Sequence, residues 1–113
     1  MADRYEMDGT YVKNATHNRR LLQIDGNFIK DVSRNRRLLQ VDGNFIKNPS
    51  TNWRMLEIVR GNDIKDIATN KVVGKVGGDS VTINGRSVEV KGMGRLNAAF
   101  CVLIALALLD SMV

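Results

Sequence analysis

The sequence predicts a mainly β fold, an up-and-down antiparallel meander of about eleven to twelve short strands closed into a barrel around one apolar C-terminal α-helix. Three observations predict it. Residues 18–30 (NRRLLQIDGNFIK) and 35–47 (NRRLLQVDGNFIK) differ only at Ile24 and Val41 and are displaced by 17 residues. Turn sequences recur at about the same period along most of the chain. Residues 98–109 form an unbroken apolar run.

The length of 113 residues predicts a single domain, 1–113, because chains divide into domains only well above this size. Within it we predict hairpin repeats over 4–91 and a buried helix over 95–113. Apolar residues make up 43% of the chain and aromatic residues only 5%, so the core is expected to be aliphatic.

Two alternating series of turns delimit the predicted strands. The first series has glycine at its second position, which favours tight type I′ hairpin turns: Asp8-Gly9, Asp25-Gly26, Asp42-Gly43, Arg60-Gly61 and Gly77-Gly78, with Asn84-Gly85 as a further two-residue loop. The second series opens with Asn or Asp, which forms Asx turns, and closes with Asn, which tolerates a left-handed backbone: Asn14 to Asn18, Asp31 to Asn35, Asn48 to Asn52 and Asp66 to Asn70.

The strands between these turns alternate in polarity, which predicts one inward and one outward face. One repeat position is always β-branched and apolar, and is predicted to face the core: Val12, Ile29, Ile46, Ile64 and Val81. The preceding position varies and is predicted to face outward: Tyr11, Phe28, Phe45, Asp63 and Ser80. One spacing between turns is 18 residues, and we predict a β-bulge within 53–60 to absorb the extra residue.

The C-terminal run has no polar face, so the helix is predicted to be enclosed by protein or by lipid. Twelve residues span roughly 18 Å, less than the hydrocarbon core of about 30 Å. Enclosure by the barrel is therefore favoured, with Phe100, Leu103, Ile104 and Leu106 among the enclosed side chains. A tail-anchored membrane protein is the alternative.

Hairpin units such as 37–43 and the apolar ending 98–110 together resemble the tubby-like superfamily, especially its LURP-one-related and phospholipid-scramblase-like branch. That resemblance implies a barrel of about twelve strands around a central hydrophobic helix, and an association with phosphoinositides or membranes. The Asp-Gly hairpin repeats also resemble the bacterial four-fold β-flower type of domain.

The sequence contains no catalytic constellation, and we predict a non-enzymatic protein without metal or cofactor. His17 is the only histidine and lies in a predicted loop, and Cys101 is the only cysteine and lies in the apolar helix. A buried, inert thiol is expected there. The segment 1–6 has no apolar stretch of the signal-peptide kind, which predicts a cytoplasmic protein, with a membrane-peripheral location as an open alternative.

The net charge of +5 is predicted to be concentrated at one end of the barrel, beside the Asx loops. The candidate anion-binding residues of this rim are Arg19, Arg20, Lys30, Arg36, Arg37, Lys47, Arg54, Lys65 and Lys71. The predicted partner is an anionic membrane surface or an acidic protein, with nucleic acid less favoured. Two alternatives are that the rim only keeps the strand ends soluble, and that the near-identical repeats make a structural module that self-assembles as a homo-oligomer.

Overall fold

A computed structural model describes the backbone of residues 4–111 and the side chains of residues 4–109. Within these residues the chain forms eleven strands, one 3₁₀ turn and one α-helix. In chain order they are β1 (Tyr5–Asp8), β2 (Tyr11–Asn14), β3 (Arg19–Asp25), β4 (Phe28–Asp31), β5 (Arg36–Asp42), β6 (Phe45–Asn48), β7 (Trp53–Val59), β8 (Asp63–Asp66), β9 (Lys71–Gly77), β10 (Ser80–Ile83), β11 (Arg86–Lys91), the 3₁₀ turn Met93–Arg95 and α1 (Ala98–Ser111).

The sheet is a closed meander barrel, as the sequence predicts. Each strand pairs antiparallel with the next, and β1 closes the barrel by pairing with β11. Because the strands alternate in direction and their number is odd, the first and last run the same way. The closing pair is accordingly parallel, through Tyr5 opposite Val90 and Glu6 opposite Lys91.

The helix runs inside the barrel, where the alternation of the strands places their aliphatic side chains. Val102, Leu103 and Ile104 have no exposed surface. The helix contacts β4–β6 and also β9–β11, which lie on opposite sides of the barrel. The five predicted inward positions are all buried: Val12, Ile29, Ile46, Ile64 and Val81. Phe100 and Leu106, which we expected to be enclosed, are only half-buried.

The helix begins at Ala98 and not at residue 95 as predicted, because Asn97 caps it. The side-chain Oδ1 of Asn97 accepts a hydrogen bond from the backbone N of Phe100 at 3.1 Å, which satisfies an N–H group of the first turn. Residues 93–95 form a separate 3₁₀ turn, introduced by Gly92 with φ +89°. Residues 112 and 113, also predicted to be helical, lie outside the described part. The part of the chain that the structure describes contains no helix that is long and apolar enough to span a bilayer.

The predicted bulge is not what absorbs the extra residue. A register shift occurs in all four long strands β3, β5, β7 and β9, so a bulge belongs to the regular repeat. The extra residue lies instead in the β7–β8 turn, where Val59 pairs with Asp63 across three residues. The corresponding β3–β4 turn, between Asp25 and Phe28, has two.

Most of the glycine turns also differ in type from the prediction. Gly9, Gly26, Gly43 and Gly78 have φ of +62° or +63°, whereas the residue after each keeps a negative φ. A positive φ at the first central position alone is the pattern of a type II′ turn, which needs glycine there. Asn84-Gly85, with φ of +52° and +81°, has the two positive angles of type I′.

Gly74 replaces an inward-facing leucine of the repeat because the backbone of β10 approaches it. A Cβ atom at Gly74 would collide with the carbonyl oxygen of Thr82, whereas one at Gly77 would meet only the Ser80 Oγ at 3.7 Å. Neither glycine has a positive φ, so backbone strain does not distinguish the two substitutions, whereas the available space does.

We expect Gly74→Ala to lower the free energy of unfolding by about 1–3 kcal/mol, because β9 or β10 must move to admit the methyl group. Gly77→Ala is the control, with an expected change within about 0.5 kcal/mol. Urea unfolding of both variants measures this. Equal stability of the two variants would contradict the close approach of β9 to β10.

Candidate anion-binding rim

The four Asx loops 15–18, 32–35, 49–52 and 67–70 and the turn 84–85 form one mouth of the barrel, here called the basic mouth. Each loop is fixed as predicted by a hydrogen bond from a backbone N to the side-chain Oδ1 of its first Asn or Asp, at 2.9 Å for Thr16 to Asn14 and Ser50 to Asn48, 3.0 Å for Ser33 to Asp31 and 3.1 Å for Ala68 to Asp66. Each loop closes on an Asn with φ between +53° and +61°. Four equivalent loops, each held by an Asx hydrogen bond, therefore make up most of the basic mouth.

The C-terminal end of the helix also lies at the basic mouth. Leu109 lines a cleft of about 800 Å³ together with Ala15 of the first loop and Arg86 at the start of β11. The last turn of α1 contains no basic side chain of its own. Because the C-terminal end of a helix carries a partial negative charge, cations of the mouth are favoured there.

Three of the nine predicted rim residues point away from the basic mouth. The guanidinium carbons of Arg20, Arg37 and Arg54 lie 4.2, 4.1 and 4.3 Å from the ring centroids of Tyr11, Phe28 and Phe45, respectively.

The same three guanidinium groups reach carboxylates at the glycine turns, the opposite mouth. Arg20 lies 3.3 Å from Asp8, and Arg37 and Arg54 lie 3.8 Å from Asp25 and Asp42. The sequence correctly places these arginines next to the Asx loops. It does not show that their side chains extend along the outside of the barrel towards the glycine turns.

Two lysines of the predicted set are compensated by acidic neighbours. Lys47 lies 3.8 Å from Asp42 and donates to the side chain of Asn52 at 2.6 Å. Lys65 lies 3.4 Å from Glu57. Their charge is therefore partly neutralised before any ligand approaches.

The remaining four candidates, Arg19, Lys30, Arg36 and Lys71, form no ion pair with any residue in the described part of the chain. Lys13, at the same repeat position as Lys30, forms an ion pair with Glu6 at 3.3 Å. Lys30 forms none, because the residue opposite it in the register is the uncharged Gln23. Arg19, Arg36 and Lys71 each begin a long strand and are exposed. The uncompensated charge of the candidate set is thus confined to the basic mouth.

Sequence reasoning missed the apolar component of the same mouth. Among the described residues, the large apolar side chains that remain exposed are Val32, Val72 and Trp53, at 36%, 57% and 75%. Val32 lies in the second Asx loop, and Trp53 and Val72 are in the first two residues of β7 and β9. Aligning the repeats reveals the signal, because Trp53 falls where Arg19 and Arg36 stand.

The described residues contain no cluster of three His, Cys, Asp or Glu side chains able to hold a metal ion. His17 donates its backbone N–H to Asn14 Oδ1 at 3.3 Å and so belongs to the first Asx turn. Cys101 is 1% exposed, as predicted, and its Sγ donates to the carbonyl oxygen of Met93 at 3.1 Å.

Comparisons with protein-family models, with curated proteins and with solved structures returned no match to this chain. The resemblance to tubby-like barrels therefore stays a prediction, and the geometry described above carries the functional argument.

The Cys101 thiol is predicted to be unreactive in the native protein. Burial, and secondarily the negative charge of Asp79, raise the pKa of Cys101 from 9.0 to about 11. Native protein at pH 8 should leave a thiol reagent such as Ellman's reagent unreacted, whereas protein unfolded in guanidinium should react stoichiometrically. Rapid reaction of the native protein would disprove the enclosure of this side chain.

The same shift predicts a pH dependence of stability. The pKa of the Cys101 thiol is about 11 in the folded protein and 9.0 without the fold's influence. The folding stability that depends on the neutral thiol is therefore fully present below pH 9 and is lost as the pH rises towards 11. Cys101→Ala should therefore lose less stability than the native sequence over this interval, since other groups titrate equally in both proteins. Identical pH profiles would argue against the raised pKa.

Proposed function

We propose that the protein is a non-catalytic module that binds the surface of an anionic membrane through its basic mouth. The observation that carries the proposal is the coincidence, on one mouth, of Arg19, Lys30, Arg36 and Lys71 without ion-pair partners in the described part of the chain and of exposed apolar side chains. Clustered cations attract anionic headgroups, and adjacent apolar groups favour the interfacial region of a bilayer.

Nucleic acid is a poorer fit to the same surface. Single-stranded nucleic acids are bound by stacking bases on exposed aromatic rings. The rings of Tyr11, Phe28 and Phe45, which the sequence offers for stacking, are each covered by a guanidinium group at about the distance of ring contact, 4.1–4.3 Å. Stacking would require those three cation–π contacts to be given up.

A soluble acidic protein is the alternative partner, because its carboxylates would form ion pairs with the same cations. The spacing of the uncompensated residues favours a broad surface instead. Arg19, Arg36 and Lys71 begin β3, β5 and β9, and neighbouring strands lie about 4.8 Å apart, so the three cations are spread around the mouth and do not converge on one point.

We expect the protein to sediment with vesicles of phosphatidylcholine and phosphatidylserine, but not with phosphatidylcholine alone, and we expect high salt to weaken this binding. The double variant Arg36→Gln/Lys71→Gln should bind about thirtyfold more weakly, because each cation near an anionic surface contributes about 1 kcal/mol.

The matched control is Lys75→Gln/Arg95→Gln. It removes the same net charge from exposed residues outside the basic mouth, and Arg95 lies beside the opposite one. This control should keep most of the binding. Equal loss in both double variants would show that net charge, and not the basic mouth, drives association, and no binding at low salt would end the proposal.

A further inference from the structure

Trp53 is the most exposed large apolar side chain in the described part of the chain, although the fold gives it no role there. The residue is 75% exposed, and the polar contact described for it is made by its backbone N, which donates to Thr51 Oγ1 at 3.4 Å. It belongs to neither the barrel core nor the half-buried set that packs against that core. Single exposed apolar residues are common on protein surfaces, whereas a larger patch with polar neighbours marks an interaction site, so the residues around Trp53 decide its meaning.

The register shows what Trp53 replaces. In the backbone register, Arg19 lies opposite Asn14, Arg36 opposite Asp31 and Lys71 opposite Asp66, each at the first position of a long strand. Trp53 pairs with Asn48 at the same position of β7. It therefore stands between the cations Arg36 on β5 and Lys71 on β9. The carboxylates opposite those cations, Asp31 and Asp66, accept hydrogen bonds within their own Asx loops.

The other exposed apolar side chains extend the same edge. Val72 follows Lys71 and is 57% exposed, and Val32 lies in the Asx loop that precedes Arg36 and is 36% exposed. Apolar and cationic side chains thus alternate along the mouth. Such an edge suits a membrane surface, in which anionic headgroups lie directly above an apolar layer.

We propose that Trp53 anchors the protein in the bilayer by inserting its indole into the interfacial region, while Arg36 and Lys71 hold lipid phosphates on either side. This inference rests on the proposed function and specifies its mode of binding. An indole combines an apolar ring with an N–H donor, which matches the boundary between headgroups and acyl chains. Attachment then has an apolar component that salt does not screen.

Because Trp53 is the only tryptophan, its fluorescence reports on this side chain alone. With vesicles of phosphatidylcholine and phosphatidylserine, the emission should shift to shorter wavelength and be quenched by brominated phosphatidylcholine. Phosphatidylcholine alone should leave the emission unchanged. The soluble polyanion polyphosphate should also leave the emission unchanged, since it supplies negative charge but no apolar layer. An equal shift with polyphosphate would overturn the inference.

Sedimentation separates failure of this inference from failure of the proposed function. If the native protein does not sediment with the anionic vesicles, the proposed function fails and the anchor with it. If the protein sediments but its emission neither shifts nor is quenched, binding stands and the insertion of Trp53 is refuted.

Substitutions give an independent test. Trp53→Ala should weaken binding to the anionic vesicles about tenfold and make the remainder fully releasable by salt. Trp53→Phe should retain most of the affinity. Trp53→Arg introduces the residue found at the equivalent position of two repeats, so the fold should tolerate the substitution. This variant should bind the vesicles at low salt but should lose the salt-resistant part of the binding. Unchanged salt resistance in Trp53→Arg would contradict the anchor.

Discussion

The structure depends on mutual burial between a helix that is apolar on every side and a sheet that cannot fill its own interior. The helix surface of Val102, Leu103 and Ile104 has no contact with water, and burial of each such side chain contributes about 1.5–3 kcal/mol. The inward residues of the sheet are aliphatic and of moderate size, with glycine at position 74. Removing either partner would expose the apolar surface of the other, so barrel and helix are expected to form one cooperative unit.

The fold could be predicted because its rules are local and are repeated. Asx loops need an Asn or Asp at the start and a residue tolerant of positive φ at the end, and Asn14 to Asn18 shows both requirements in the sequence. Alternation in the short strands fixed the inward face. The details that were missed depend on neighbouring strands: the bulges follow from pairing register, and Gly74 is required by the approach of the Thr82 carbonyl oxygen.

The sequence predicts where the basic residues lie along the chain, but it does not predict which of them remain without an acidic partner. The sequence places the basic residues near the Asx loops, yet only the structure shows that Arg20, Arg37 and Arg54 lie against aromatic rings and turn towards carboxylates. Long side chains can choose between partners at either end of a strand, and pattern alone does not resolve that choice. The helix adds a second reason for cations at this mouth, because its C-terminal end lies there without a basic residue in its last turn.

Native-state hydrogen exchange measures the cooperative unit of barrel and helix most directly. If each element depends on the other, the slowest amides of α1 and those of β4–β6 and β9–β11 should exchange with the same free energy of opening, equal to that of global unfolding by denaturant. Exchange of all α1 amides through a separate opening of much lower free energy, with the strands still protected, would contradict the account.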